Sequence, residues 1–154
     1  MPTPARRPLT VRSRRDLRMA IIGLEVVVAL AAIVGGVGML ADNALDLPAD
    51  WLAALPFPTW RWPAVLLLAT VAVPMGAAAL GEIRREAWAP TASTVAGAML
   101  VVWIAVQVAL IGDYSVLQPI LAAVGLAILL LSGRLHRGGP PRRPTGRRVG
   151  MRRL

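Results

Sequence analysis

Polar positions divide the chain into four long apolar runs: Met19 to Ala41, Pro63 to Gly81, Thr91 to Ile111 and Ser115 to Gly133. No charge occurs from Ala64 to Gly81, and none from Thr91 to Gly112. A helix rises about 1.5 Å per residue, so roughly 20 apolar residues cross a hydrocarbon core about 30 Å thick. Every run satisfies this, the second and fourth narrowly. The pattern predicts an all-α fold, an antiparallel four-helix transmembrane bundle. A flexible arginine-rich arm over residues 1–18 precedes the membrane domain of residues 19–133, and a disordered arginine-rich tail over residues 134–154 follows it.

Between the first two runs, Pro48-Ala49-Asp50-Trp51-Leu52-Ala53-Ala54-Leu55-Pro56 reads as a short helix. Pro48 suits its start and Pro56 its stop. Trp51, Leu52 and Leu55 fall on one side, and Trp60 and Trp62 follow. These aromatics form either an interfacial belt or a lid over an outward pocket. Pro74 lies within the second run and cannot donate to the Thr70 carbonyl, which predicts a helix kink there. Gly35, Gly36 and Gly38 late in the first run, and Gly23 earlier, either admit a close neighbour or loosen the helix. Gly112-Asp113-Tyr114 allows only a tight hairpin between the last two runs.

Composition sharpens this picture. The chain is 56% hydrophobic and 16% charged, with a mean hydropathy of +0.63. There is no cysteine, which excludes disulfides, thiolate metal sites and iron–sulfur clusters. All 17 basic residues are arginine, and abundant Ala, Gly and Pro beside them point to a GC-rich coding genome.

Charge then sets topology. Arg6, Arg7, Arg12, Arg14, Arg15 and Arg18 precede the first run. Arg84 and Arg85 follow the second, and eight arginines from Arg134 to Arg153 follow the fourth. The other two connections carry Asp42, Asp46, Asp50 and Asp113 with one base, Arg61. The positive-inside rule places both termini in the cytoplasm of a multi-pass cytoplasmic-membrane protein. Arg14, Arg15, Arg18, Arg134, Arg137, Arg142 and Arg143 are then candidates for contact with anionic lipid headgroups. Without interleaved aromatics or a folded module, no specific nucleic-acid binding is implied. Ser13-Arg14-Arg15-Asp16-Leu17 also has the form of a twin-arginine export signal, but the apolar run after it is too long and lacks a cleavage site.

Asp50-Trp51-Leu52, Pro56-Phe57, Pro63, Trp88-Ala89-Pro90, Trp103-Ile104, Gln107, Ile111-Gly112 and Leu117-Gln118-Pro119 form a recognisable pattern. It resembles a group of small, uncharacterised four-span integral membrane proteins of actinobacteria over roughly residues 20–133. The resemblance implies the topology and carries over no catalytic or binding residue.

Polar side chains inside membrane spans are costly and are the default functional candidates. Glu25 lies about 9 Å inside the first run, level with Met75, Gly97 and Ala127. It can pair with Arg18, bond to a hydroxyl such as Ser93 or Thr94 or to the carbonyl freed at Pro74, or bind a proton or cation. Gln107 and Gln118 flank the hairpin at similar depth, and Trp103 shares a face with Gln107, opposite Ala122 and Ala123. Those three are either interhelical glue or a small outward pocket for a lipid headgroup or quinone. His136, the only histidine, falls in the tail beyond the last run, so a bis-histidine haem site and a Ser–His–Asp set are both excluded. No cofactor and no metal is implied. The expectation is a non-enzymatic structural or interaction component, associated with lipids and with a second copy or protein partner. The alternatives are a small proton-linked carrier using Glu25 and a lipid- or quinone-binding accessory subunit.

Overall fold

A computed structural model describes residues 11–112 and 116–137, and the described chain is all-α. α1 spans Val11–Leu40 and α2 spans Ala49–Ala53. The second long helix is α3 (Arg61–Leu67), a π turn (Leu68–Ala72) and α4 (Val73–Arg84) in succession. α5 spans Ala89–Ile111 and α6 spans Leu117–Arg137. Four helices are long and apolar enough to cross a membrane: Arg12–Leu40, Arg61–Arg84, Ala89–Ile111 and Leu117–His136.

These spans pack as a bundle. α1 lies against the second span and α6, and α5 lies against the same two. The shared core is Val28, Ala29, Ala32, Val71, Ala72, Met75, Ala78, Ala96, Leu100, Ile104 and Ile128. Small side chains dominate it, while Val27, Val34, Val73, Val102 and Leu130 point outward and are more than half exposed. The largest enclosed side chains include Glu25, Glu82, Ser93 and Ser132. Aliphatic outside with small and polar inside reverses the plan of a soluble bundle and suits a hydrocarbon solvent. There, close packing rather than the hydrophobic effect joins helices.

α5 and α6 meet most closely. A methyl group on Gly97 would come within 3.1 Å of the Gly125 carbonyl oxygen, and one on Gly125 within 2.8 Å of Val101 Cγ2. The glycines of α1 act differently. Gly36 receives the Leu68 side chain and Gly38 that of Leu45, whereas Gly23 faces nothing within 4 Å. What approaches α1 is therefore side chain, not backbone.

Several boundaries differ from expectation. α1 begins at Val11, so the segment expected to be a flexible arm is helical over residues 11–18. Arginine is a good helix former, and no Gly or Pro interrupts that stretch. α6 continues to Arg137, so residues 134–137 of the expected disordered tail are helical and His136 lies in the last turn of the span. Residues 1–10 and 138–154, Arg142 and Arg143 among them, and the hairpin residues Asp113 to Ser115 lie outside the described residues. At Pro74 the helix answers the missing donor by widening. The π turn ends just before it, with the Val73 N–H bonded to the Leu68 carbonyl.

Candidate functional site

The two ends of the bundle carry different chemistry. At one end the 41–60 connection folds back over the spans. Asp42, Asn43 and Asp46 adopt left-handed backbone (φ 49°, 58° and 51°), which Asp and Asn tolerate better than most residues. The Ala44 N–H reaches back 2.9 Å to the Gly38 carbonyl, closing the helix end as a Schellman turn does. Asn43 clamps the reversal: its Nδ2 donates to the Leu47 carbonyl at 3.0 Å, and the Leu47 N–H donates to its Oδ1 at 3.2 Å.

This reversal sets α2 and the following turn above a cavity of ≈ 350 Å³. Trp51, Leu55, Pro56, Phe57 and Trp60 line it from the connection. Met39 of α1 and Pro63 and Leu66 of α3 contribute further walls. α5 supplies Trp103, Gln107 and Ile111, and α6 supplies Leu117, Gln118 and Leu121. Among the described residues no lining residue carries a charge, and the two glutamines are the only amides. Trp103, Gln107 and Gln118, singled out in the sequence, thus share one chamber; Trp103 and Ala122 both pack against the core, and Ala123 is exposed. Trp51 and Trp60 line the same chamber, whereas Trp62 is exposed. The chamber can enclose an apolar body and offer two amides to a small hydrogen-bonding head.

At the opposite end, polar groups from all four spans converge. Arg18 Nε lies 2.9 Å from Glu82 Oε2, and Glu82 is fully enclosed. Glu25 is also fully enclosed. It faces the Ser93 hydroxyl without closing a well-formed hydrogen bond. On α6, His136 Nδ1 is 3.0 Å from the Ser132 carbonyl oxygen and Nε2 is 3.4 Å from Thr91 Oγ1 on α5.

Of the partners expected for Glu25, Arg18 is taken by Glu82, and its side chain turns toward the bundle. Glu25 does not line the chamber that holds Trp103, Gln107 and Gln118. Arg14 is half-buried, and Arg15 and Arg134 are exposed. Glu82 was missed because it follows the apolar run and reads as loop. The signal was present in its place at the end of the second span, level with Arg18 at the start of the first.

These features define a multi-pass helical membrane protein. Comparison with family models, with characterised proteins and with solved structures finds no match. Function must therefore be argued from the two ends themselves.

Proposed function

We propose that this chain is a non-enzymatic protein of the cytoplasmic membrane that holds one amphiphile in its loop-end chamber. The ligand class is an apolar chain with a small hydrogen-bonding head, whether phospholipid or isoprenoid quinone. The observation that carries this reading is the chamber itself, where Trp103, Gln107 and Gln118 meet beneath Trp51 and Trp60. Its volume falls in the usual range of small-molecule pockets, roughly 300 to 1,000 Å³, and its mainly apolar lining with a few polar groups is typical of them. Most residues that carry the resemblance to actinobacterial four-span proteins also line it, among them Pro56, Phe57, Pro63 and Leu117.

In this reading successive spans run in alternating directions, with the arginine end in the cytoplasm and the loop end outside. Contacts of Arg18 with Glu82 and of Thr91 with His136 support the alternation, as does the meeting of Met39, Pro63, Ile111 and Leu117 around one chamber. Arginine-rich span ends at Arg14, Arg15, Arg84, Arg85 and Arg134 support the orientation through the positive-inside rule. α2 then rests at the outer interface. A carrier using Glu25 is less well supported, because Glu25 lies away from the chamber.

Native mass spectrometry of the protein in mild detergent tests this. Wild type should retain one amphiphile per chain, and Trp103→Ala combined with Gln107→Ala should lose most of it. Mass and ultraviolet absorbance of the extract separate phospholipid from quinone. Equal occupancy in wild type and variant, or none in either, refutes the reading.

A further inference from the structure

The polar cluster at the arginine end contains an imbalance of charge. Two carboxylates, Glu25 on α1 and Glu82 on α4, are fully enclosed among the spans. Among the described residues the one ion pair to either carboxylate is from Arg18, which is committed to Glu82 at 2.9 Å. His136 is exposed on α6, with Nε2 3.4 Å from Thr91 Oγ1 and Nδ1 3.0 Å from the Ser132 carbonyl oxygen. α5 contributes a hydroxyl, Ser93, and no charge. Counted over the enclosed groups, two negative charges meet one positive. An uncompensated ion in an apolar interior costs far more than binding the ion that neutralises it.

A second observation indicates what that ion is. Both oxygens of Glu25, both of Glu82 and the hydroxyls of Ser93 and Ser132 are buried and have no hydrogen-bond partner within the protein, but Glu82 has the Arg18 ion pair at 2.9 Å and no ion pair is formed by Glu25 among the described residues. Glu25 and Ser93 face each other. A protonated carboxyl can donate through one oxygen and accept from the Ser93 hydroxyl through the other, so one proton satisfies the charge without further ligands. A metal ion needs more oxygens than this: calcium takes roughly six to eight. Among the described residues no group of three or more His, Asp or Glu side chains gathers to hold a metal.

We propose that Glu25 is a proton-binding site, loaded with one proton per chain to balance the second buried carboxylate, with Arg18–Glu82 as its counter-pair. Binding forms a single O–H bond on the Glu25 carboxylate and consumes nothing but the proton. Arg18 lies about two helical turns from Glu25 along α1, on the same face, so the two carboxylates compete for one guanidinium. The number of protons held therefore follows the number of enclosed carboxylates less the number of enclosed arginines.

Infrared difference spectroscopy of the full chain in lipid counts them through the carbonyl stretch of a protonated carboxyl. Wild type at neutral pH should show one such band, which alkali removes. Glu25→Gln should abolish it. Glu82→Gln should also abolish it, because Arg18 is released to Glu25. Arg18→Gln should double its area, and His136→Gln should leave it unchanged. The wild-type spectrum decides the matter even if a variant fails to fold. Absence of the band in wild type, its survival in Glu25→Gln or Glu82→Gln, or its loss in His136→Gln overturns the proposal. So does its removal by sodium at constant pH, which would assign the site to a metal cation.

Discussion

At the arginine end the spans close tightly around enclosed polar groups, while at the loop end they stand apart around a chamber of ≈ 350 Å³ with no charged wall among the described residues. Side-chain size accounts for much of the difference. Near the arginine end the facing positions are Gly81, Ala89, Ser93 and Gly97, and Gly81 is close enough to Trp88 that a methyl there would lie 2.7 Å from its ring. At the loop end the facing positions are Leu66, Trp103, Ile111 and Leu121, too bulky to let the backbones meet. The lesson is that one bundle separates strength from capacity. Interhelical bonds and ion pairs concentrate where residues are small, and room for a ligand opens where they are large.

The largest effect should come from breaking the tight end at its ion pair. Arg18→Leu leaves Glu82 enclosed with no cation and should cost about 3 kcal/mol. That is the low end for a buried pair, because Arg18 is 33% exposed. Thermal unfolding in mild detergent measures it, and adding Glu82→Gln should restore most of the loss. A single variant as stable as wild type would mean that water or headgroups already neutralise Glu82.

Next comes the α5–α6 crossing, which ties the two ends together. Gly97→Leu forces a side chain against the Gly125 carbonyl and Ile128 and should destabilise by about 2 kcal/mol. Helix separation should show as faster proteolysis in the hairpin. At the loop end the effect should be smaller and local. Asn43→Ala removes both bonds of the clamp and places Ala in left-handed backbone, for about 1 to 2 kcal/mol. Its readout is a red shift of tryptophan emission and loss of bound amphiphile, with the ion pair untouched. Asn43→Gly keeps the backbone without the clamp and should lie between the two. Smallest is Arg85→Gly. Arg85 caps α4 with φ 59°, and glycine there should raise stability by about 1 kcal/mol or less. A fall would mean that its charge matters more than its backbone.

The sequence made the spans legible because apolar runs of the right length, with a single ionisable residue (Glu25) among the four, have few other uses. It was less informative at their ends. The expected limits stopped where apolarity stopped, but helix does not stop there: Arg12 to Arg18 and Arg134 to Arg137 continue it at little cost. Glu82 and His136 were consequently read as loop and tail, and of the polar cluster they join only Glu25, with Arg18 and Ser93 as candidate partners, was visible. The chamber was half legible. Trp103 and Gln107 share a face by spacing, and the hairpin brings Gln118 level with them. Its roof was legible only as one of two readings of Trp51, Leu55 and Trp60, since the choice depends on the reversal at Asp42, Asn43 and Asp46, and left-handed turns leave no periodic trace. The Gly97–Gly125 contact escaped for a related reason. Each glycine is isolated in its own helix, and only the packed register of α5 on α6 makes them a pair.

Everything said of an outer chamber and an inner charge cluster depends on which end faces which side of the membrane. The chain has no cysteine, so single cysteines report position without background. Thr59→Cys, exposed beside the chamber, and Ala87→Cys, exposed beyond α4, can be probed with a membrane-impermeant maleimide on intact cells. The account predicts that Thr59→Cys is labelled on intact cells and Ala87→Cys only after the membrane is opened. The reverse order, or equal labelling of both before opening, contradicts it.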